Sequence, residues 1–389
     1  MDRPTMRPVS IAAPSQATRT AGGALQRQLA ALYARAESVL TLEVVLYTLF
    51  VLVAAVTRFW DLGSRPLHHD ESLHAYFSWQ YYTGRGYVHD PMMHGPLLFH
   101  MTALAYALFG DTEYVARVVP ALFGTITVGL PYLLRQQLGR VSMLVASFLL
   151  LISPLMWYYG RFIRNEAWCV VFTMLIFIGL VRWMDSHRSV WLHLAWVNWV
   201  LLYSSKEISF IVLFAFVTFG VLALGLAYSK ALLSWLGALP VGVLAGMVLL
   251  PKLLGWRALP AIPFENPNVQ KSLDYARAML SSPQVLTSLA WTILCIGIAI
   301  WLLRRANIPG QFAQIRAGGT ANSLSTALAF LPRKWTQVGL LVIEFLVIAV
   351  PLHTSLFTNV RGGLMSGSFG QLFYWLAQQE VERVEQPWY

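Results

Sequence analysis

The chain has 389 residues, of which 57% are hydrophobic and only 12% charged, with a formal net charge of +10 and a mean hydropathy of +0.57. That balance excludes a soluble globular domain and describes an integral membrane protein. The basic residues are spread among loops between apolar runs, which excludes a nucleic-acid-binding face, and the two cysteines, Cys169 and Cys295, lie inside apolar runs, which excludes a disulfide framework.

Residues 1–39 carry Arg3, Arg7, Arg19, Arg27 and Arg35 among Pro, Ser, Thr, Ala and Gln. They have too little bulky apolar content to pack a core, and read as a flexible basic cytoplasmic tail with a short helix near 25–36. No cleavable signal pattern precedes the apolar run Val44 to Trp60, so that run is expected to be an uncleaved first span. A spanning helix needs about 20 mostly apolar residues. Segments near 40–60, 114–134, 141–159, 166–184, 189–204, 207–228, 231–251, 286–303 and 336–356 meet that need, about nine spans in all.

With the N-terminus in the cytoplasm, the inner face receives Arg135, Arg140, Arg182, Arg188, Lys230, Arg304, Arg305, Arg316, Arg333 and Lys334. The opposite face receives Asp61, Asp70, Glu71, Asp90, Asp111, Glu113, Glu166, Glu207, Glu265, Asp274, Glu380, Glu382 and Glu385. The Lys/Arg count alone separates the faces weakly. The gathering of three acidic motifs on one face points to an extracytoplasmic site.

The first outer loop, 61–112, is too polar to span. Leu73, Tyr76, Phe77 and Tyr81 recur at helical spacing, and Pro96 to Phe109 is a second short apolar segment, so two interfacial helices joined by a Gly/Pro-rich turn are expected. The 160–165 connection supplies Arg161, Arg164 and Asn165 ahead of Glu166, and Ser204-Ser205-Lys206-Glu207 joins the fifth and sixth spans. The 252–285 loop is Pro-interrupted, with a short helix expected at 268–280. The chain thus divides into a tail (1–39), a transmembrane module (40–255), and a region of outer loop, further spans and C-terminal outer segment (256–389).

The series HHDESLHAYFSWQYYTGRGYVHDPMMHGPLLFHMTALAYALFGDTEYVARVVPALFG, then SPLMWYYGRFIRNEAW, then YSSKEISF, resembles the GT-C superfamily of membrane glycosyltransferases. That superfamily includes the protein O-mannosyltransferases and the lipid A aminoarabinose transferases, and the branch most similar is that of the prokaryotic flippase-associated mannosyltransferases. The likeness covers roughly residues 40–210 and recovers around FTNVRGG and WLAQQEVERVEQPWY. It implies a multi-span GT-C-like helical bundle with an outward site that takes a sugar from a polyprenyl phosphate with inversion, an acid of the first outer loop acting as base. Carried over, Asp70 matches that acid, Glu71 its neighbour, and Pro96-Leu97 the turn before the second interfacial helix. His94 stands where relatives often have Lys, and Asn165-Glu166 where they commonly have Asp.

The chemistry also follows from the residues. Moving a sugar from a lipid phosphate needs a base for the acceptor hydroxyl proton and cations for the departing phosphate. Asp70 is the candidate base, with Glu71 as orienter, and Arg161, Arg164 and Lys206 are the available cations for the substrate phosphate. The resemblance adds Glu166 as second acid and His94 as a substrate-binding group. Adjacent helical residues point about 100° apart, so Asp70 and Glu71 serve different atoms. Structural roles compete at each position: Asp70 as an N-cap, Arg161 and Arg164 as headgroup anchors, Lys206 and Glu207 neutralising one another. Asp111 reads as a cap of the second span and Glu113 with Arg117 as an i,i+4 pair. His68, His69, His74, His89, His94, His100 and His353 fall on or near the outer face, but no compact ligand spacing supports a divalent metal, and no cofactor is expected. Glu344 inside the ninth span is expected to be protonated, paired, or lining a lipid-tail groove.

Two functions fit. The first is a glycosyltransferase of the cell membrane that moves a sugar from a polyprenyl-phosphate donor in the bilayer to a glycan, lipid or protein acceptor outside. The second is a non-catalytic GT-C-like subunit or lipid-flipping partner of a membrane complex.

Overall fold

The computed structural model describes residues 41–228, 281–305, 308–318 and 323–371, with isolated positions between 242 and 280. Among the described residues every regular element is helical. Four helices are long and apolar enough to cross a membrane: Leu42–Phe59, Glu113–Leu138, Glu166–Ser186 and Lys334–His353. With the shorter apolar helices between them, they make this an all-α, multi-pass membrane protein.

Helix α1 (Leu42–Phe59) begins at Thr41, whose hydroxyl accepts from the Val44 N–H at 3.4 Å. Its outer surface is apolar and bare, Leu42 being 74% and Val56 60% exposed, as lipid-facing side chains would be. Polar contacts fix its two ends. Near the start, Glu43 lies between Arg135 and Arg140, the latter at 3.4 Å, and Tyr47 donates to the Gly129 carbonyl.

At the other end, buried Arg58 donates to the carbonyls of Leu150 and Leu151, both at 3.3 Å. Those carbonyls need a donor because the helix they close stops there. The run expected to span from 141 to 159 is broken: Arg140–Ile152 ends at Ser153, and Pro154, which has no N–H to continue the ladder, opens a separate short helix, Pro154–Tyr159. A break at membrane depth is tolerated when protein groups satisfy the freed backbone. Gly124 and Gly160 let the chain close around Arg58, since a Cβ on Gly124 would stand 2.8 Å from the Gly160 Cα.

Residues 61–112 carry helices α2 (His69–Tyr82) and α3 (Leu97–Phe109), as their spacing predicts. They pack on each other, and α3 also packs onto α4 (Val118–Gly129) and shares an apolar cluster with α5 (Glu166–Ser186). The largest buried apolar cluster among the described residues forms there, around Leu98, Phe99, Ile163, Trp168, Ile178 and Leu202. The core therefore sits beneath the loop that bears the acidic motif. Helix α6 (Ser189–Tyr203) pairs with α5, and α7 (Ile208–Tyr228), α8 (Pro283–Arg305) and α9 (Lys334–His353) lie where three further spans are expected, α9 being one of the four long and apolar enough to cross. The expected element at 25–36, and most of those at 231–251 and 268–280, fall outside the described residues.

Opposite ends of the bundle collect opposite loops. Gln137 reaches Asp185 at 2.6 Å, Arg182 holds the Leu133 carbonyl, and His187 stacks on Phe330 at 6.0 Å, so the basic turns assigned to one face meet at one end. The acidic loops meet at the other.

Truncating the core is expected to expose this architecture: Phe99→Ala should destabilise by about 3–5 kcal/mol, whereas Leu52→Ala on the bare face of α1 should be nearly silent. Thermal unfolding in detergent reads both, and equal midpoints for the two variants would contradict a core placed under the loop.

Candidate functional site

Helix α2 starts with a capping box built from an unusual residue. His68 is the N-cap, its Nδ1 accepting from the Asp70 N–H at 3.3 Å, while the Glu71 carboxylate accepts from the His68 N–H at 3.0 Å. Asp70 is therefore not the cap, and its carboxylate is left for other work.

Glu71 is fully buried and saturated. Arg117 grips it with Nε and Nη2, both at 2.9 Å, Arg65 adds a contact at 3.1 Å, and the Ile163 N–H donates at 3.2 Å. The remaining donors of Arg117 go to the carbonyls of Leu62, Arg65 and Pro66. This corrects the i,i+4 pairing of Glu113 with Arg117: a buried guanidinium needs a buried carboxylate, and Glu113 is exposed at the surface. Burial pushes the Glu71 carboxyl up, yet Arg117 and the His68 and Ile163 N–H groups outweigh it and hold the group below its ordinary value. Asp111 is likewise not a cap. It accepts from the Trp79 indole at 2.9 Å, and Thr112 caps the short Glu113–Ala116 helix.

Next to that sealed pair lies an open chain of charges. Arg164 contacts Asp70 at 3.2 Å through Nη1 and Glu166 at 3.5 Å through Nε, and Lys206 reaches the same Glu166 oxygen at 2.8 Å. Both carboxylates thus touch one guanidinium, well inside the separation of two helix diameters, about 20 Å, that a shared site allows. The Asp70 side chain is 40% exposed. His94 pairs with Glu207 at 2.8 Å, so Lys206 and Glu207 do not neutralise one another; each has a partner on a different segment.

Backbone bonds hold these segments in register. The Gly95 N–H donates to the Ser205 carbonyl at 3.0 Å and the Leu97 N–H to that of Ser204 at 2.9 Å. Only glycine fits at 95, where a Cβ would stand 2.2 Å from the Ser204 oxygen. His94 itself takes a left-handed conformation, φ 67°, as the 90–97 loop turns into α3.

Of the residues singled out from sequence, Asp70, Arg164, Glu166 and Lys206 form one connected cluster, with His94 and Glu207 alongside. Glu71 lies behind it. Arg161 is committed elsewhere, donating to the carbonyls of Thr57, Arg58, Trp60 and Asp61 that α1 leaves unpaired at its end. Glu344 is paired, 2.8 Å from His193.

His74 enters the site although sequence reading placed it only among the outer histidines. It stands four residues after Asp70 on α2, is buried, and its Nδ1 has no hydrogen-bond partner. Burial, then His94 and Arg164 nearby, push it down to about 4 against the opposing pull of Asp70 and Glu166. The i,i+4 spacing from the acid is the signal that could have found it. His89, also buried, bonds the His94 carbonyl at 3.0 Å and the Ser366 hydroxyl at 2.8 Å, tying the turn to the segment after α9. Among the described residues no cluster of three or more His, Cys, Asp or Glu side chains is arranged to hold a metal ion.

The sealed pair makes its own prediction. Glu71→Gln, which strands Arg117 in the core, should cost about 3–5 kcal/mol, read by thermal unfolding. Because the folded-state pKa of Glu71 lies below its ordinary 4.5, its contribution is present above that value and is lost as pH falls through the depressed pKa. The acid limb of the stability profile should therefore flatten in Glu71→Gln, and an unchanged limb would contradict the assignment.

Residues 93–256 match the family model described as dolichyl-phosphate-mannose-protein mannosyltransferase. No curated protein matches the chain. Among solved structures, the crystal structure of ArnT from Cupriavidus metallidurans in the apo state is similar over 85% of this chain and 76% of that one, at 18% identity and a TM-score of 0.39. The family match takes in the Gly95-Pro96-Leu97 turn, Arg164, Glu166 and Lys206.

Proposed function

We propose that the protein transfers a sugar from a polyprenyl phosphate to a hydroxyl acceptor at the membrane surface, with Asp70 as general base. The observation that carries this reading is the contrast between two neighbouring carboxylates. Glu71 is sealed, with both oxygens filled by donors. Asp70 is 40% exposed and carries a single ion-pair contact, to Arg164.

An ion pair this open to solvent is worth only about 0–1 kcal/mol, so Asp70 is readily released. In the proposed step Arg164 and Lys206 turn toward the lipid phosphate, which frees Asp70 to take the proton of the acceptor hydroxyl. The acceptor oxygen bonds the anomeric carbon as the bond from that carbon to the phosphate oxygen breaks, with inversion, and the phosphate leaves with the electron pair. His74 is held neutral, so the positive charge available to the phosphate rests on Arg164 and Lys206, with His94 at the edge where relatives often place Lys. The identity of the sugar follows from none of these contacts; mannose is the first donor to test because the matching family model names it.

One observation favours the second reading, a GT-C-like subunit without turnover: Arg164 and Lys206 already face carboxylates, and Arg161 is spent on backbone carbonyls. The two readings separate in one assay. Asp70→Asn keeps size and shape but cannot accept the proton, so transfer from a polyprenyl-phosphate sugar in vesicles should fall by about 10²-fold or more with little change in thermal midpoint. Full turnover in Asp70→Asn removes Asp70 as base, and no turnover in the parent with several donors selects the second reading.

A further inference from the structure

Beyond the Glu71–Arg117 pair lies a cavity of about 220 Å³ that no step of the transfer reaction uses. Its walls are three arginines, Arg65, Arg117 and Arg161, with Asp61, Trp157 and Tyr158. Counting Glu71, which Arg65 and Arg117 share, three positive charges face two negative ones, Asp61 and Glu71. The surroundings therefore carry one uncompensated positive charge.

The donors are uneven in the same way. Arg117 is fully spent on Glu71 and on backbone carbonyls. Arg161 uses Nη1 and Nη2 on the end of α1, and its Nε–H has no partner among the described residues. Arg65 commits one of the five N–H groups of a guanidinium to Glu71, and the others have no partner there. Its side chain is 45% exposed and lies over the rings of Tyr158 and Phe162, at 5.9 and 5.4 Å. Arg161 is stacked in the same manner over Trp157 at 5.0 Å. Aromatic stacking fixes both guanidinium planes without consuming a donor.

Depth identifies the occupant. The cavity opens at the end of α1, beside Trp60, Trp157 and Tyr158, all exposed. Bulky amphipathic rings gathered at a span end mark the headgroup level of a bilayer. A ligand arriving there with a single negative charge neutralises the excess, whereas a phosphate monoester or free phosphate, at about −1.5 to −2 near neutral pH, overshoots it and leaves the aromatic walls uncovered.

We propose that this cavity binds the phosphodiester headgroup of a bilayer phospholipid, held by Arg65 and the Nε–H of Arg161, at a site separate from the transfer cluster. The bound headgroup completes the cationic side of the Glu71 network and so braces the loop that carries Asp70.

The test uses the full-length protein in neutral detergent, with thermal unfolding and native mass spectrometry as readouts. Phosphatidylglycerol should raise the midpoint and be retained, and inorganic phosphate at the same concentration should not. Arg65→Gln should weaken phosphatidylglycerol binding by about tenfold, the loss of one charge-assisted contact. Asp61→Asn should tighten it by about two- to fivefold, since one exposed like charge is removed. Asp61 sits at φ 53°, a conformation Asn also adopts easily, so this variant folds even if Arg65→Gln does not. Equal affinity in the parent and Asp61→Asn overturns the proposal, as does a midpoint shift with inorganic phosphate equal to that with the lipid. Neither readout depends on sugar transfer, so failure of the proposed activity leaves this result to be judged separately.

Discussion

The buried pairing of Glu71 with Arg117 is the constraint on which the geometry of the site depends. Removing two charges from water costs several kcal/mol per ion, and mutual attraction offsets this only when the remaining hydrogen-bonding capacity is also filled. Here it is filled. Glu71 receives Arg117, Arg65 and the His68 and Ile163 N–H groups, and Arg117 spends its other donors on carbonyls of 62–66. Three segments far apart in the chain are thereby fixed to one carboxylate. Asp70 precedes Glu71 and Arg164 follows Ile163, so these two meet at 3.2 Å because their chain neighbours are hydrogen-bonded to each other.

The same arrangement gives two adjacent acids different work. A helical step of about 100° turns Glu71 into the core when Asp70 is turned out, and the His68 cap relieves Asp70 of the structural task that an acid at a helix start commonly performs. Asp70 keeps a tether weak enough to be exchanged. Glu71 keeps one too strong to be given up. Burial thus separates an available Asp70 from a Glu71 spent on positioning, and the proposed role of Asp70 as base rests on that contrast.

Much of the fold was legible because an apolar run of spanning length has few alternatives: Leu42–Phe59, Glu166–Ser186 and Lys334–His353 fall where hydropathy put them. The two loop helices followed from the spacing of Leu73, Tyr76, Phe77 and Tyr81 and from the Pro96 to Phe109 run. Pro154 was a visible breaker whose effect was missed because the flanking residues are apolar throughout. The site was legible as a set of residues but not as a set of pairs. Local rules joined Glu113 to Arg117 and Lys206 to Glu207. The partners chosen instead lie 46 and 40 residues away for Arg117 and Lys206, and 113 for the Glu207–His94 pair. No periodicity encodes a contact between separate helices, and only burial of one member, as with Arg117, makes the distant partner obligatory.

The use of arginine links these points to the weak topology signal of the sequence. Helices that break or end near the membrane leave carbonyls that lipid cannot satisfy. Arg58, Arg117, Arg161 and Arg182 each fill such carbonyls, at Leu150 and Leu151, at 62–66, at 57–61 and at Leu133. A guanidinium suits this task because its planar fork reaches several acceptors while staying charged. Cations spent in this way report on helix ends and say little about which face meets the cytoplasm, so a count of Lys and Arg mixes two populations. Once the internal group is set aside, Arg164 and Lys206 remain beside Asp70, and Arg65 remains at the cavity below Trp60. On the proposed readings, these are the positions where an incoming phosphate would find positive charge that the backbone has not already claimed.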